Sequence, residues 1–371
     1  MLAALNLQEP DRVPLDLGGS ASNMTDPVYF AVRKLLGFKQ DIAPYRSGRT
    51  CNYYDERIFE ALDIDLRWVS LRGPRDGQII LAADGSYTDE WGVAYRYNGL
   101  EVAIANHPLA QASLEDLESY PWPDPKAPGR TEGLLERVRF LHDRTDYAIA
   151  VRPTPGFGVF EMCSILRGDA QYLMDLVSDR PFALRLAQRV TETILGFYRV
   201  LLDEVGNYLH LVEYSGDYGT QRSLIMSPHM YRETLKPLDA EIIHLIKTLA
   251  PHAKVMLHSC GAIRPLIPDL IEIGVDVLNP LQPLATGMNS ADIKQEFGHK
   301  LCFHGAIDIQ RALPGSIEDV ECELRTRLAA LGPGGGYIVA PANYIQPDVP
   351  AENVVQLYRL AAELGRYPLA L

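Results

Sequence analysis

The chain is poor in the features that most readily betray a protein's class. It has only five cysteines in 371 residues: Cys51, Cys163, Cys260, Cys302 and Cys322. An odd, scattered set in a long chain excludes a disulfide framework and suits free thiols in a reducing compartment. Cys51, Cys163, Cys302 and Cys322 read as small apolar fillers. No run approaches the ~18 uninterrupted apolar residues of a membrane span. Met1 to Arg12 lacks a basic segment followed by an apolar run and a small-residue cleavage site, so no secretory leader is read and the cytoplasm is expected. Positive charge is also scarce, with a formal net charge of -13. Such a surface repels phosphate backbones and anionic lipid, which argues against nucleic-acid or membrane partners. Low-complexity tracts and short repeats are missing. So are a phosphate loop, a nucleophile elbow, CxxC and HExxH.

What remains is a chain that is 47% hydrophobic and 22% charged, enough to bury a large core without staples. Its character changes near residue 145. Before that point it is irregular: Arg12–Asp16 reads as a short strand, Pro27–Leu36 as a helix and Asp65–Ser70 as a strand. Gln78–Ala82 and Tyr87–Tyr97 read as a β-hairpin turning at Asp84–Gly85. After residue 145, short apolar strands alternate with helices. Strands are expected at Tyr147–Val151, Tyr208–Glu213, Lys254–His258, Asp276–Asn279, Leu301–His304 and Gly336–Ala340. The intervening helices include single ones over Gly158–Leu176 and from Pro228 to Leu249. Continuous apolar strands are expected where both sheet faces are buried, and strand–helix alternation implies βαβ units. The fold class expected is α/β, a (β/α)₈ TIM barrel closed by Arg12–Asp16 and Asp65–Ser70. A single domain, 1–371, would comprise an irregular part (1–145) carrying the hairpin and a regular part (146–371). A doubly wound open sheet is disfavoured because no glycine-rich fingerprint follows the first strand, and Gly334–Gly336 precedes a strand, which suits a turn.

In a barrel, polar residues at strand C-termini face the site mouth. The strands here end in Glu213 with Asp217, Tyr218 and Gln221, in His258-Ser259-Cys260-Gly261, in Asn279, in His304 with Asp308, and in Asn343 with Gln346. The sharpest of these is His258-Ser259-Cys260. In extended backbone, positions i and i+2 point to one side, so imidazole and thiolate, both zinc ligands, can converge. His304, Glu213 or Asp217 could supply a third ligand. The same spacing also arises by chance, and a strand-end histidine or aspartate can equally be a core hydrogen-bonding group or a helix cap. Asp217 and Asp308 could be a general base or a substrate anchor. Arg12 and Arg152 could grip a carboxylate, with surface ion pairing as the alternative.

Several segments resemble the uroporphyrinogen decarboxylase superfamily. Leu5–Pro14 (LNLQEPDRVP) is similar to its N-terminal signature, and Asp217–Tyr231 to its segment leading through Ser-Pro into a helix. His258–Gly274 (HSCGAIRPLIPDLIEIG) is the strongest match. Gly305–Leu313 and Gly335–Asn353 (GGYIVAPANYIQPDVPAEN) are similar to its last two strand units. The resemblance implies a (β/α)₈ barrel and one of two chemistries. The first is cofactor-free decarboxylation of a carboxylated substrate. The second is methyl transfer between a small substrate and methylcobalamin, a corrinoid carried by a partner protein, with zinc. The decarboxylases' arginine-rich RQAGRYLPEY-type segment has no counterpart here. The methyltransferases' His-x-Cys is matched by His258 and Cys260, while Asn343 stands where they carry a later cysteine. The expectation is therefore a corrinoid-dependent methyltransferase with Asp217, His258 and Cys260 as catalytic residues. His258 and Cys260, with His304 or Glu213, would hold zinc. Tyr218, Gln221, Asn279, Asn343 and Gln346 would line the substrate. A lyase is the alternative, and a homodimer is an open expectation.

Overall fold

The computed structural model describes the chain except residues 20, 78, 80, 98–101, 153–156 and 371. Strand β1 (Leu66–Ser70) belongs to the main sheet, whereas β2 (Tyr87–Thr88), β3 (Ala94–Tyr97) and β4 (Val102–Ile104) form a small antiparallel sheet. The main sheet continues with β5 (Ala148–Arg152), β6 (Leu211–Ser215), β7 (Lys254–His258), β8 (Val277–Leu281), β9 (Cys302–Ile307) and β10 (Tyr337–Pro341). These seven strands are parallel and ordered β1-β5-β6-β7-β8-β9-β10. The result is a mixed α/β, TIM-barrel-like fold in which the described residues form no regular eighth strand. Residues 13–16 span the gap between the edge strands. Val339 N donates to Pro14 O at 2.8 Å, Asp16 N to Val339 O at 2.9 Å, and Asp65 N, just before β1, to Leu15 O at 2.9 Å. Arg12 ties the segment down through two hydrogen bonds to Asp65, at 2.8 and 3.0 Å.

Alternation along the strands decides what faces inward. Leu66, Ala148, Ala150, Leu211, Met256, Val277, Cys302 and Ile338 form one buried cluster with Leu5, separate from the large core beneath the helices. Two residues further along their strands come Arg152, Glu213, His258, Asn279 and His304. An apolar floor therefore carries a polar layer at the C-terminal end of the sheet, the arrangement barrels use for their sites.

Three local expectations are corrected. The hairpin forms one step later, Tyr87 pairing with Tyr95 and Thr88 with Ala94. Asp84–Gly85 does turn, Gly85 N donating to Ala82 O at 2.9 Å, but residues 78 and 80 of the strand expected before it lie outside the described residues. The helix expected over Gly158–Leu176 is two, Val159–Arg167 and Asp169–Ser178, broken at Gly168, whose φ is 94°. The one from Pro228 divides into Pro228–Thr234 and Lys236–Leu249, because Pro237 offers no amide proton to continue the ladder. Among the described residues, no helix is long and apolar enough to cross a membrane.

Candidate metal centre

His258 ends β7 and is 8% exposed. The chain then turns sharply at Gly261, whose φ is 86°. A side chain there would be strained, and its Cβ would also lie 2.4 Å from Thr220 O. This close approach packs the Cys260 loop against the loop after β6 and brings Asp217 to it. Asp217 itself sits in the left-handed region at φ 35° and accepts the Cys260 amide at 2.7 Å. Its Oδ1 lies 3.5 Å from His258 Nε2, and Cys260 Sγ lies 3.6 Å from the same nitrogen. Ligand atoms of Asp217, His258 and Cys260 all fall within 4.8 Å of one another. One nitrogen, one sulfur and one carboxylate oxygen are a donor set zinc accepts, and three protein ligands leave a coordination position open. The residues present therefore fit the metal.

The three side chains perturb one another's charge, and a bound cation would replace the proton they hold at His258 Nε2. Burial alone would raise the Asp217 carboxyl, but the hydrogen bond and charge of His258 and the Cys260 amide hold it below the usual carboxylate range. Burial works against a charged His258, yet Cys260 and Asp217 beside it push the imidazole well above its ordinary value. Asn343 Nδ2 donates to Cys260 Sγ at 3.3 Å, and its Oδ1 is anchored by the Tyr344 amide at 2.7 Å. Asn343, expected to line the substrate, thus gives the Cys260 sulfur a hydrogen-bond donor.

Of the three candidates for a third ligand, Asp217 lies with His258 and Cys260, while His304 and Glu213 are not in that group. Both His304 ring nitrogens are engaged, Nδ1 with Asn279 Nδ2 at 2.6 Å and Nε2 with Asp16 Oδ2 at 2.8 Å. Glu213 stands level with Met256, one inward step below the Ser215–His258 pair. Asn279 is buried and bridges His258 Nδ1, at 2.6 Å, to His304. Tyr218 is fully buried and donates to Asp239 at 2.5 Å, so its hydroxyl faces the core and not the mouth. Gln221 is exposed and lines a shallow recess with Gln282, Asp308 and Ala342. Gln346 is exposed too, donating to Tyr344 O at 3.5 Å. Asp308 caps a turn, accepting the amides of Gln310 and Ala312 at 2.8 and 3.3 Å. Arg12 is committed to Asp65.

Two residues escaped sequence reasoning as site members. Glu161, in the first turn of the helix Val159–Arg167, accepts the Ser215 hydroxyl and the Gly158 amide. Burial, and then the charge of Asp217, push its carboxyl up to about 7. Its signal was a Gly-x-x-Glu helix start, which reads as an ordinary cap. Asp16 is completely buried; its signal was a charge inside the apolar run Val13–Leu17.

The family model described as uroporphyrinogen decarboxylase (URO-D) matches residues 88–364. The chain belongs to the uroporphyrinogen decarboxylase family. No curated protein sequence matches this family member. Among solved structures, a methyltransferase from Methanosarcina mazei is similar with a TM-score of 0.65 at 16% identity, over 98% of this chain and 97% of that one. That likeness speaks for the fold. A B12-independent methionine synthase from Shewanella sp. W3-18-1 aligns at 12% identity over 95% of this chain and 98% of that one, with a TM-score of 0.43. It is too distant to argue from.

Proposed function

We propose that this family member is a methyltransferase that moves a methyl group between a small substrate and a corrinoid carried by a partner protein, with zinc held by Asp217, His258 and Cys260. The carrying observation is the convergence of those three ligands, at the C-terminal ends of β6 and β7. The likeness in fold to a methyltransferase supports the same reading. The metal, when bound, would act as a Lewis acid that stabilises negative charge on the atom giving up or accepting the methyl group. The chain's residues do the rest. Asn343 Nδ2–H holds electron density on Cys260 Sγ. The Cys260 amide fixes the Asp217 carboxylate. Glu161, partly protonated near neutrality, can hold a proton beside Asp217.

The test is metal content and turnover together. Protein purified without chelator should carry one equivalent of zinc and consume methylcobalamin with a thiol acceptor. His258→Ala and Cys260→Ala should lose metal and activity in parallel, with the fold retained. Full activity in metal-free protein would end this reading.

A second reading, a carboxy-lyase, is favoured by Arg152. It ends β5 in the inward-facing register, half-buried, with the charge of Glu213 acting on it. An inward guanidinium at a strand end suits a substrate carboxylate. Release of CO₂ from a candidate acid by metal-free protein, lost in Arg152→Met, would select it.

A further inference from the structure

Four buried side chains run in line from the candidate metal centre to the segment that spans the gap in the sheet. His258 Nδ1 meets Asn279 Oδ1 at 2.6 Å, Asn279 Nδ2 meets His304 Nδ1 at 2.6 Å, and His304 Nε2 meets Asp16 Oδ2 at 2.8 Å. Asp16 and His304 are 0% exposed. A carboxylate can only accept. His304, as a neutral ring, must therefore give its one N–H from Nε2 to Asp16, which leaves Nδ1 to accept. Asn279 must then turn its NH₂ to His304 and its carbonyl to His258. His258 in turn must donate from Nδ1, so that Nε2, facing Cys260 and Asp217, is the nitrogen a metal would take. Hydrogen positions follow here from the donor and acceptor inventory of the network.

We infer that Asp16 is a positioning residue for the metal centre: acting through His304 and Asn279, it fixes His258 in the tautomer that presents a bare Nε2 for ligation. The inference rests on the proposed metal-binding reading and adds to it. The residue that sets the ligand's tautomer lies in the 13–16 segment, so the span between β10 and β1 and the readiness of the centre become one structural event. Outer partners of ligating histidines commonly fix ring orientation and tautomer in this manner.

Asp16→Asn is the informative change because Asp16 has a second acceptor role. Its Oδ1 takes the Trp68 indole N–H at 3.0 Å, while Oδ2 faces both His304 and the Ser22 hydroxyl, the latter at 3.1 Å. In the isosteric asparagine, Trp68 keeps the amide oxygen on its side, which puts the NH₂ against His304 Nε2. Every donor in the line then reverses: His304 becomes Nδ1–H, Asn279 flips, and His258 Nδ1 must accept. A neutral His258 would then carry its proton on Nε2, where the metal must bind.

The experiment is histidine ring ¹⁵N spectroscopy with zinc affinity by chelator competition, on the full chain and on Asp16→Asn. In the wild type, His304 should appear as the Nε2–H tautomer with or without zinc, and zinc-bound His258 as Nδ1–H. Asp16→Asn should convert His304 to Nδ1–H and weaken zinc about 10- to 100-fold, with a far-UV spectrum like that of wild type. If the variant proves unstable, the wild-type His304 tautomer alone decides. A His304 that is Nδ1–H or doubly protonated overturns the inference, as does unchanged zinc affinity in a folded Asp16→Asn protein. Failure of the wild type to bind zinc while His304 remains Nε2–H would sink the metal-binding reading and, with it, the role assigned to Asp16, but would leave the direction of the hydrogen-bond line established.

Discussion

Cys260 sits between two kinds of neighbour, a carboxylate and imidazole that would share a cation with it and an amide that donates to it. Replacing Asn343 by leucine would keep the bulk and remove the donor. Zinc should still bind but more weakly, by about tenfold, and a thiol probe should label Cys260 at a different rate in the metal-free protein; unchanged affinity and labelling would remove Asn343 from the account. Glu161 offers a pH signature. Its folded pKa, about 7, lies above its ordinary 4.5, so the native state binds the proton more tightly than the unfolded chain. The contribution to stability is complete below pH 4.5 and declines as pH rises toward 7. Glu161→Gln, which mimics the protonated acid, should therefore melt near wild type at pH 5 and above it at pH 8. Equal melting temperatures at both values would show that Asp217 and burial do not shift this carboxyl.

At the scale of elements, the site depends on a second close approach besides that of Gly261. Gly158 precedes the helix Val159–Arg167, and a Cβ there would lie 1.7 Å from Ser215 O on β6. Gly158→Ala must push the helix off the strand, breaking the Ser215–Glu161 hydrogen bond. A loss of about 2–3 kcal/mol is expected from overpacking of this kind, read as a lower denaturant midpoint; a loss under about 0.5 kcal/mol would mean the helix floats freely. Elements also mark what the residue order made legible. His258 and Cys260 were readable as a convergent pair because period-two geometry is local, and the strand-end rule made Asp217 a candidate third ligand. His304 was misread for the same reason: a strand end exposes a nitrogen, but only three-dimensional contact shows that Asp16, 288 positions away, already holds it. The broken helices were missed because apolar residues recur at helical spacing on both sides of Gly168 and Pro237, which masks the break that each residue makes.

Across the whole molecule, the seven-strand order followed from strand–helix alternation, while closure did not. Residues 12–16 make two isolated bridges, Arg12 with Arg366 and Leu15 with Val339, instead of a ladder, and a segment so short leaves little periodicity to read. Its anchoring is testable. Arg12→Ala removes both bonds to Asp65 in a partly buried pair, which should cost about 1–2 kcal/mol. The Val339 and Asp16 amides should then exchange faster with solvent than those of β6 and β7; uniform protection would mean the gap is held by other contacts. The central claim concerns the holoprotein, and zinc-edge X-ray absorption on it is the most direct test. The account predicts one sulfur at ~2.3 Å with nitrogen and oxygen at ~2.0–2.2 Å, the sulfur vanishing in Cys260→Ser. A first shell without sulfur, or sulfur that survives that substitution, would contradict it.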